Sequence, residues 1–403
     1  MARVENTKQL TADLIAQSMG KDYYPASGTS ENKDITAVDT YRLPDVGKDI
    51  DEADKVDAFT KSLVVRIGKV ITEKRTVPYL ESGILKSSME FGGAMESIRL
   101  GVYEVQDDPS WNLTNGSNYA NYDYTFHQPE LSVRLFDDRK AIYIAKSITR
   151  KQLKEAFLSW DAMESFIDAI AVAWDNTLRI TVNAWTRALF ASAIAVSDIA
   201  TKTARHLVTE AIAKKLLAKG ATAEDFVASD KCMNYLFEEI RNTRTFMSQD
   251  MTVAFNDKTI PCVTPREECK LTLLTSIASR IKTIKANTYN DKELGFGDFN
   301  EITSWQGIAS TAESVTSFYK WDDISSIKIS ADPLNKLGIG TEAYTKSNVI
   351  GLMWDYLSMG ICPQDEYVTS NYAAGADFWN DHGHYTANYW LDSRYNIVAW
   401  ILD

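Results

Sequence analysis

The sequence predicts an α+β fold organised round one long helix, and three observations predict it. Apolar side chains at Leu153, Phe157, Trp160, Met163, Ile167, Ile170, Trp174 and Leu178 recur in steps of three and four, which keeps them on one helix face. Upstream, Leu131, Val133 and Leu135 alternate with polar residues, and Ala141 to Ser147 reads as a further strand. Downstream, Tyr395-Asn-Ile-Val-Ala-Trp-Ile-Leu402 is an apolar run of strand length.

The helix is expected to start near Glu155 and to run for about 30 residues, roughly 45 Å. Phe157, Trp160, Phe166, Ile170 and Trp174 are its candidate core residues, packing against a sheet. Residues 1–55 read as an N-terminal arm: Gly, Pro, Ser and Asp recur, and Asp45 to Asp57 carries six acids against Lys48 and Lys55. Val56 to Thr72 is a compact amphipathic segment with Phe59, Leu63, Val64 and Ile67 on one side. Ser87 to Glu104 reads as a strand interrupted at Gly92-Gly93. In residues 105–129, Asn112, Asn115, Asn118 and Asn121 are interleaved with Trp111, Tyr119, Tyr122, Tyr124 and Phe126. Asn favours turns, and so many aromatics on one loop cannot all be buried within it. With Asp137-Asp138-Arg139-Lys140 as a turn, the region reads as an extended β-hairpin with a long tip. Such a hairpin exposes edge groups and apolar surface, which points to obligate assembly.

The second half reads as mixed. Helices are expected over Thr201 to Lys219, capped by Gly220; over Ala223 to Asn242; and over Thr272 to Lys285, with Leu273, Leu274, Ile277 and Ile281 on one face. Strands are expected over Thr252 to Val263, Ile324 to Ile329 and Asn348 to Trp354.

Composition limits the function classes. With 403 residues, 45% of them hydrophobic, the chain is expected to form two or three domains. Its 43 Lys and Arg against 55 Asp and Glu give a net charge of −12, which argues against tight binding to phosphate backbones. The first residues hold no signal-peptide run, and no apolar stretch approaches the roughly 20 residues of a membrane span. Four scattered Cys without a CxxC pair predict reduced thiols in a cytoplasmic setting.

Catalytic signatures are sparse. The sequence has no GxxxxGK[ST], HExxH or GxSxG, and Gly295-Phe-Gly297 lacks the third glycine of a dinucleotide fingerprint. Asp381-His382-Gly-His384 has metal-ligand spacing, but reads more readily as a polar turn entering the last strand. Cys262 and Cys269 have the wrong spacing for zinc and read as structural thiols. The acidic pairs Asp107-Asp108, Asp137-Asp138 and Asp322-Asp323 read as solvated turns. The aromatics from Tyr385 to Trp400 could line a sugar groove, but at strand spacing they read as core. No catalytic residue, metal or cofactor is expected.

Three stretches carry a family resemblance. Asp57-Ala-Phe-Thr-Lys-Ser-Leu-Val-Val-Arg-Ile-Gly68, Ala156-Phe-Leu-Ser-Trp-Asp-Ala-Met-Glu-Ser-Phe166, and Phe378-Trp-Asn through Tyr389-Trp390 to Ser393-Arg394-Tyr395 and Trp400 resemble the major capsid proteins of short-tailed phages of the phi29 type, which have the Hong Kong 97-type capsid fold. The likeness extends over residues 55–403. It implies an N-terminal arm at 1–55, a lead-in segment at 56–74 and an extension loop at 75–150 lying over a neighbouring subunit. It further implies a peripheral domain with the spine helix at 151–204 and 346–403, and an axial domain at 205–345. Trp111, Tyr119, Tyr122, Tyr124 and Phe126 become candidate subunit-interface residues. The implied partners are further copies of the chain in pentamers and hexamers. Scaffolding protein, portal, head decoration or fibre proteins and non-specifically packaged double-stranded DNA are also implied, with no membrane. The implied location is the virion, assembled in the host bacterial cytoplasm. Three other readings stay open at this stage: a carbohydrate-active enzyme using Asp322 and Asp323, a portal or tail component, and an encapsulin-type shell.

Overall fold

The computed structural model describes residues 80, 83–87, 94–103, 105, 128–152, 160–288, 299–306 and 324–403, with the side chains of 160–172, 284–288 and 333 outside that description. The arm, the Val56 to Thr72 segment, Gly92-Gly93, Phe157, Gly295 to Gly297 and the Asp107-Asp108 and Asp322-Asp323 pairs therefore lie outside the described residues.

A reciprocal cap opens a helical turn at Arg150. The Thr149 N–H donates to Gln152 Oε1 at 3.1 Å and the Gln152 N–H to Thr149 Oγ1 at 3.2 Å. The long helix α1 spans Trp160–Ala195, 36 residues, or about 54 Å. It outruns the expected length because its last two turns are almost wholly interior: Leu189, Phe190, Ala191, Ala193, Ile194 and Ala195 are all buried. A helix apolar on every side belongs inside a core, and a one-face pattern does not find its end. A π turn, Val196–Ala200, closes it. There Ser197 and Thr203 hydroxyls pair at 2.8 Å, Thr203 donates to the Ile397 carbonyl at 2.6 Å, and Ser197 accepts from the Ala399 N–H at 3.1 Å.

The described residues form four sheets. β1 (Met95–Leu100) and β2 (Leu131–Phe136) form an antiparallel hairpin. β3 (Arg139–Thr149) leaves that hairpin and lies in a three-stranded antiparallel sheet, order β10-β11-β3, with β10 (Met359–Ala373) and β11 (Phe378–Leu391). A mixed five-stranded sheet has order β4-β12-β9-β5-β6, from β4 (Arg205–His206), β5 (Cys269–Leu274), β6 (Asn300–Ile302), β9 (Val349–Asp355) and β12 (Ile397–Ile401). β7 (Ile327–Ile329) pairs with β8 (Tyr344–Lys346).

Helix α1 joins the two larger sheets into one core. Trp185 stacks on Tyr385 of β11 with centroids 5.9 Å apart, while Phe190 lies 6.2 Å from both Trp305 and Trp354 of β9. The closest approach is at Gly383, where a Cβ would overlap the half-buried Trp174 ring. Every residue of β9 and β12 is buried, which fits the strand read at Asn348 to Trp354 and the apolar run read at Tyr395 to Leu402.

Several expected elements shift. The Thr201 to Lys219 helix is only α2, Leu207–Ala213. Thr201 and Thr203 are held in the hydroxyl knot, and Lys215 (φ 58°) takes the left-handed cap position in place of Gly220. Leu216 N–H to Ala211 O at 2.8 Å and Lys215 N–H to Ile212 O at 3.0 Å complete a Schellman closure. The next helix is two: α3, Ala223–Ala228, and α4, Asp230–Gln249, divided at extended Ser229, whose hydroxyl caps α4. Thr252 to Val263 is a turn-rich loop held by one bridge, Thr252 to Cys262, because Asn256, Asp257 and left-handed Lys258 (φ 65°) fold it on itself. Leu273 and Leu274 belong to β5, and the helix starts after them as α5, Thr275–Thr288. The remaining helix, α6, is Ala331–Lys336.

Gly383→Ala is expected to cost about 1–3 kcal/mol through overpacking against Trp174, and Trp174→Leu in the same chain should recover part of it. Urea unfolding of the unassembled protein measures both.

Candidate assembly surface at the hairpin base

The hairpin alternates with period two, but its faces are reversed. Ser97, Arg99, Ser132 and Arg134 point toward the body, while Ile98, Leu100, Leu131, Val133 and Leu135 point away. In register, Ile98 faces Val133 and Leu100 faces Leu131. Ile98 is 58% exposed, Val133 49% and Leu135 66%. A solvated sheet face is ordinarily the polar one.

The inward face docks on the β11–β12 turn, Asp392-Ser393-Arg394. Arg394 is fully buried and uses all its guanidinium donors. Nε and Nη2 grip Asp392, at 2.9 Å to Oδ1 and 2.6 Å to Oδ2. Nη1 donates to the Ser132 carbonyl at 2.8 Å and its hydroxyl at 2.9 Å, and Nη2 also reaches the Ser97 carbonyl at 2.9 Å. One side chain thus holds both hairpin strands. Arg134 returns the contact, donating to Ser393 Oγ at 2.9 Å, Asp257 Oδ2 at 2.8 Å and Asp392 Oδ1 at 3.3 Å. Arg99 donates to the Arg394 and Pro261 carbonyls and sits 4.5 Å over the Tyr395 ring. Burial works to raise the Asp257 carboxyl, but hydrogen bonds from Thr259 and Ser393 and the Arg134 charge hold it below the usual range.

Of the candidate interface residues, Trp111, Tyr119, Tyr122, Tyr124 and Phe126 lie outside the described residues. Val102, Tyr103 and Val105, at the root of that tip, are exposed. Of the spine residues, Trp160, Phe166 and Ile170 lie in α1 with undescribed side chains, and Trp174 packs on Gly383. Arg394, Asp392, Arg134 and Arg99 were not picked out from sequence. Their signal was a charged tripeptide between two buried aromatic strands.

Asp381, His382 and His384 sit within β11, between β3 and β10, where a turn was expected. Strand alternation separates them: Asp381 is buried on the α1 side, while the two imidazoles lie on the outer face beside Tyr143. Among the described residues no group of three potential ligands converges. The four cysteines are buried and free. Trp379, Tyr385, Trp390 and Trp400 are buried, as the core reading of that run expected. No described helix is long and apolar enough to cross a membrane.

A family model described as the Phi29-like phage major capsid protein matches residues 18–401. The chain belongs to that family. It is a structural protein that forms the shell of a phage head and is part of the virion. No curated protein matches the sequence. Among solved structures, the capsid structure of Staphylococcus phage Andhra aligns with TM-score 0.52 and 12% identity, over 81% of this chain and 84% of that one. A chain in the structure of the head fiber and inner core protein of bacteriophage P68 aligns with TM-score 0.49 and 12% identity, over 79% and 83%. The fold is the Hong Kong 97-type capsid fold.

Arg394→Ala is expected to cost about 3–5 kcal/mol, because it leaves Asp392 buried without its partner. Limited proteolysis should then cut the freed hairpin, whereas half-exposed Arg134→Ala should cost about 1 kcal/mol or less. Lys146 of β3 faces Asp381 in register, and burial lowers its amine to about 8 against the weaker pull of the Asp381 charge. The unfolded chain, with a Lys near 10.4, holds this proton longer as pH rises, so stability should climb between about pH 8 and 10.4. Urea titrations of the parent chain should show this rise, about 3 kcal/mol across the window, and Lys146→Met should abolish it.

Proposed function

We propose that the head shell closes by laying the apolar outer face of the β1–β2 hairpin over a neighbouring copy of the chain. The reversed amphipathicity of the hairpin carries this reading. Its polar face is spent on the Arg394 socket, leaving a stripe of Ile98, Leu100, Leu131, Val133 and Leu135 that is uncovered among the described residues. Contiguous exposed apolar patches mark interaction sites, and obligate interfaces are large and apolar. A heterologous contact repeated by rotation generates closed rings, here pentamers and hexamers.

In this reading residues 75–150 are the extension loop, with Trp111, Tyr119, Tyr122, Tyr124 and Phe126 at its tip as interface residues. Residues 151–204 and 346–403 form the peripheral domain, and 205–345 the axial domain. The shell encloses double-stranded DNA without specific contacts, in keeping with a net charge of −12. Scaffolding, portal and decoration or fibre proteins are the further partners of this reading.

Ile98→Asp with Val133→Asp should leave the monomer folded, since exposed substitutions typically change stability by about 0.5 kcal/mol or less. Electron microscopy should find closed shells from the parent chain and none from the variant. Deleting residues 108–126 should likewise give folded, non-assembling protein. Normal shells from the double variant would overturn the hairpin interface.

A further inference from the structure

We propose that His382 and His384 form a two-imidazole clasp for a divalent transition-metal ion, with water in its remaining positions. The pair sits two residues apart on β11, so strand alternation places both side chains on the outer face, about 6.8 Å apart along the strand. Neutral imidazole is the commonest metal ligand among side chains and binds at about 2.0–2.1 Å. Two nitrogens that share one ion must therefore come within roughly 3 Å of each other, which requires the rings to lean together.

The contacts show that lean. His384 Nε2 lies 3.1 Å from Thr369 Oγ1. Thr369 is the register partner of His382, whereas the partner of His384 is Tyr367. The His384 ring is thus tipped along the strand toward His382. Tyr143, opposite His384 on β3, has its ring centroid 5.7 Å from that of His382 and 6.3 Å from that of His384, so both imidazoles border one ring. Tyr367 stacks on His384 at 4.7 Å and 18°, which holds its plane. The Thr369 hydroxyl donates to Nε2 or accepts from it with equal ease, so either tautomer keeps a nitrogen lone pair for the ion.

The surroundings suit a cation. The rows on either side of the pair hold Asn380 with Ser147 and Asn371, and Thr386 with Ala141 and Asp365. None of these is a Lys or Arg, and the one charge is an acid. Asp381 points to the opposite face, and no third ligand joins the pair among the described residues. Water then completes the shell, and the ions that favour imidazole are Cu²⁺, Ni²⁺ and Zn²⁺, with Cu²⁺ bound most tightly.

The test uses the full-length, unassembled chain without a purification tag, so its outcome is independent of the hairpin interface. Calorimetric titration with Cu²⁺ alone should give one site per chain, and electron paramagnetic resonance of the bound Cu²⁺ should show coupling to two imidazole nitrogens. His382→Asn and His384→Asn should each abolish the site and the retention of the chain on immobilised Ni²⁺. His127→Asn and His206→Asn, which replace the other two imidazoles of the chain, should change neither. Absence of Cu²⁺ binding by the parent, a spectrum with a single nitrogen, or binding that survives either strand substitution would refute the clasp. So would loss of the site in His127→Asn or His206→Asn.

Discussion

The hairpin depends on one fully buried side chain, Arg394. Its planar fork reaches Asp392 on one side and the backbones of β1 and β2 on the other. Charges in such a place cost desolvation, and a buried ion pair contributes little net stability over an apolar replacement. What it contributes is position. The guanidinium donors meet acceptors on three separate stretches, and together these contacts fix the strands against the turn. The apolar side of the hairpin must then face outward, because the polar side is held.

The same division of labour recurs at the far end of α1. Its last turns are packed on every side, so the helix is fixed in depth by apolar burial. A small cluster of hydroxyls on Ser197, Thr201 and Thr203 then ties its end to β12. Between these ends the helix crosses from the three-stranded to the five-stranded sheet. The result is one core with the β1–β2 hairpin anchored at the β11–β12 turn.

Much of this was legible in the residues. The amphipathic run into α1 and the alternation at Leu131 to Leu135 carry their period openly, and the strand at Asn348 to Trp354 and the apolar run at Tyr395 to Leu402 were read without one. The reciprocal cap of Thr149 and Gln152 was not read, because it lies six residues before the expected helix start. Other elements were hidden for definable reasons. Leu273 and Leu274 are short apolar neighbours of a helix, and such a run fits strand and helix equally. β10 contains Pro363 at a register shift and a polar second half. His382 and His384 look like ligands in one dimension, but the strand points them away from Asp381.

The sequence by itself determined the periodic elements, the family and the absence of a catalytic signature, because side-chain spacing and local propensity act within a few residues. Only the tertiary structure decided which hairpin face is outward, that Arg394 joins β1, β2 and the β11–β12 turn, and that β3 leaves the hairpin for the β10–β11 sheet. Those outcomes rest on partners nearly 300 residues apart, such as Ser97 and Arg394, and no local pattern encodes which distant acceptor a buried guanidinium will meet.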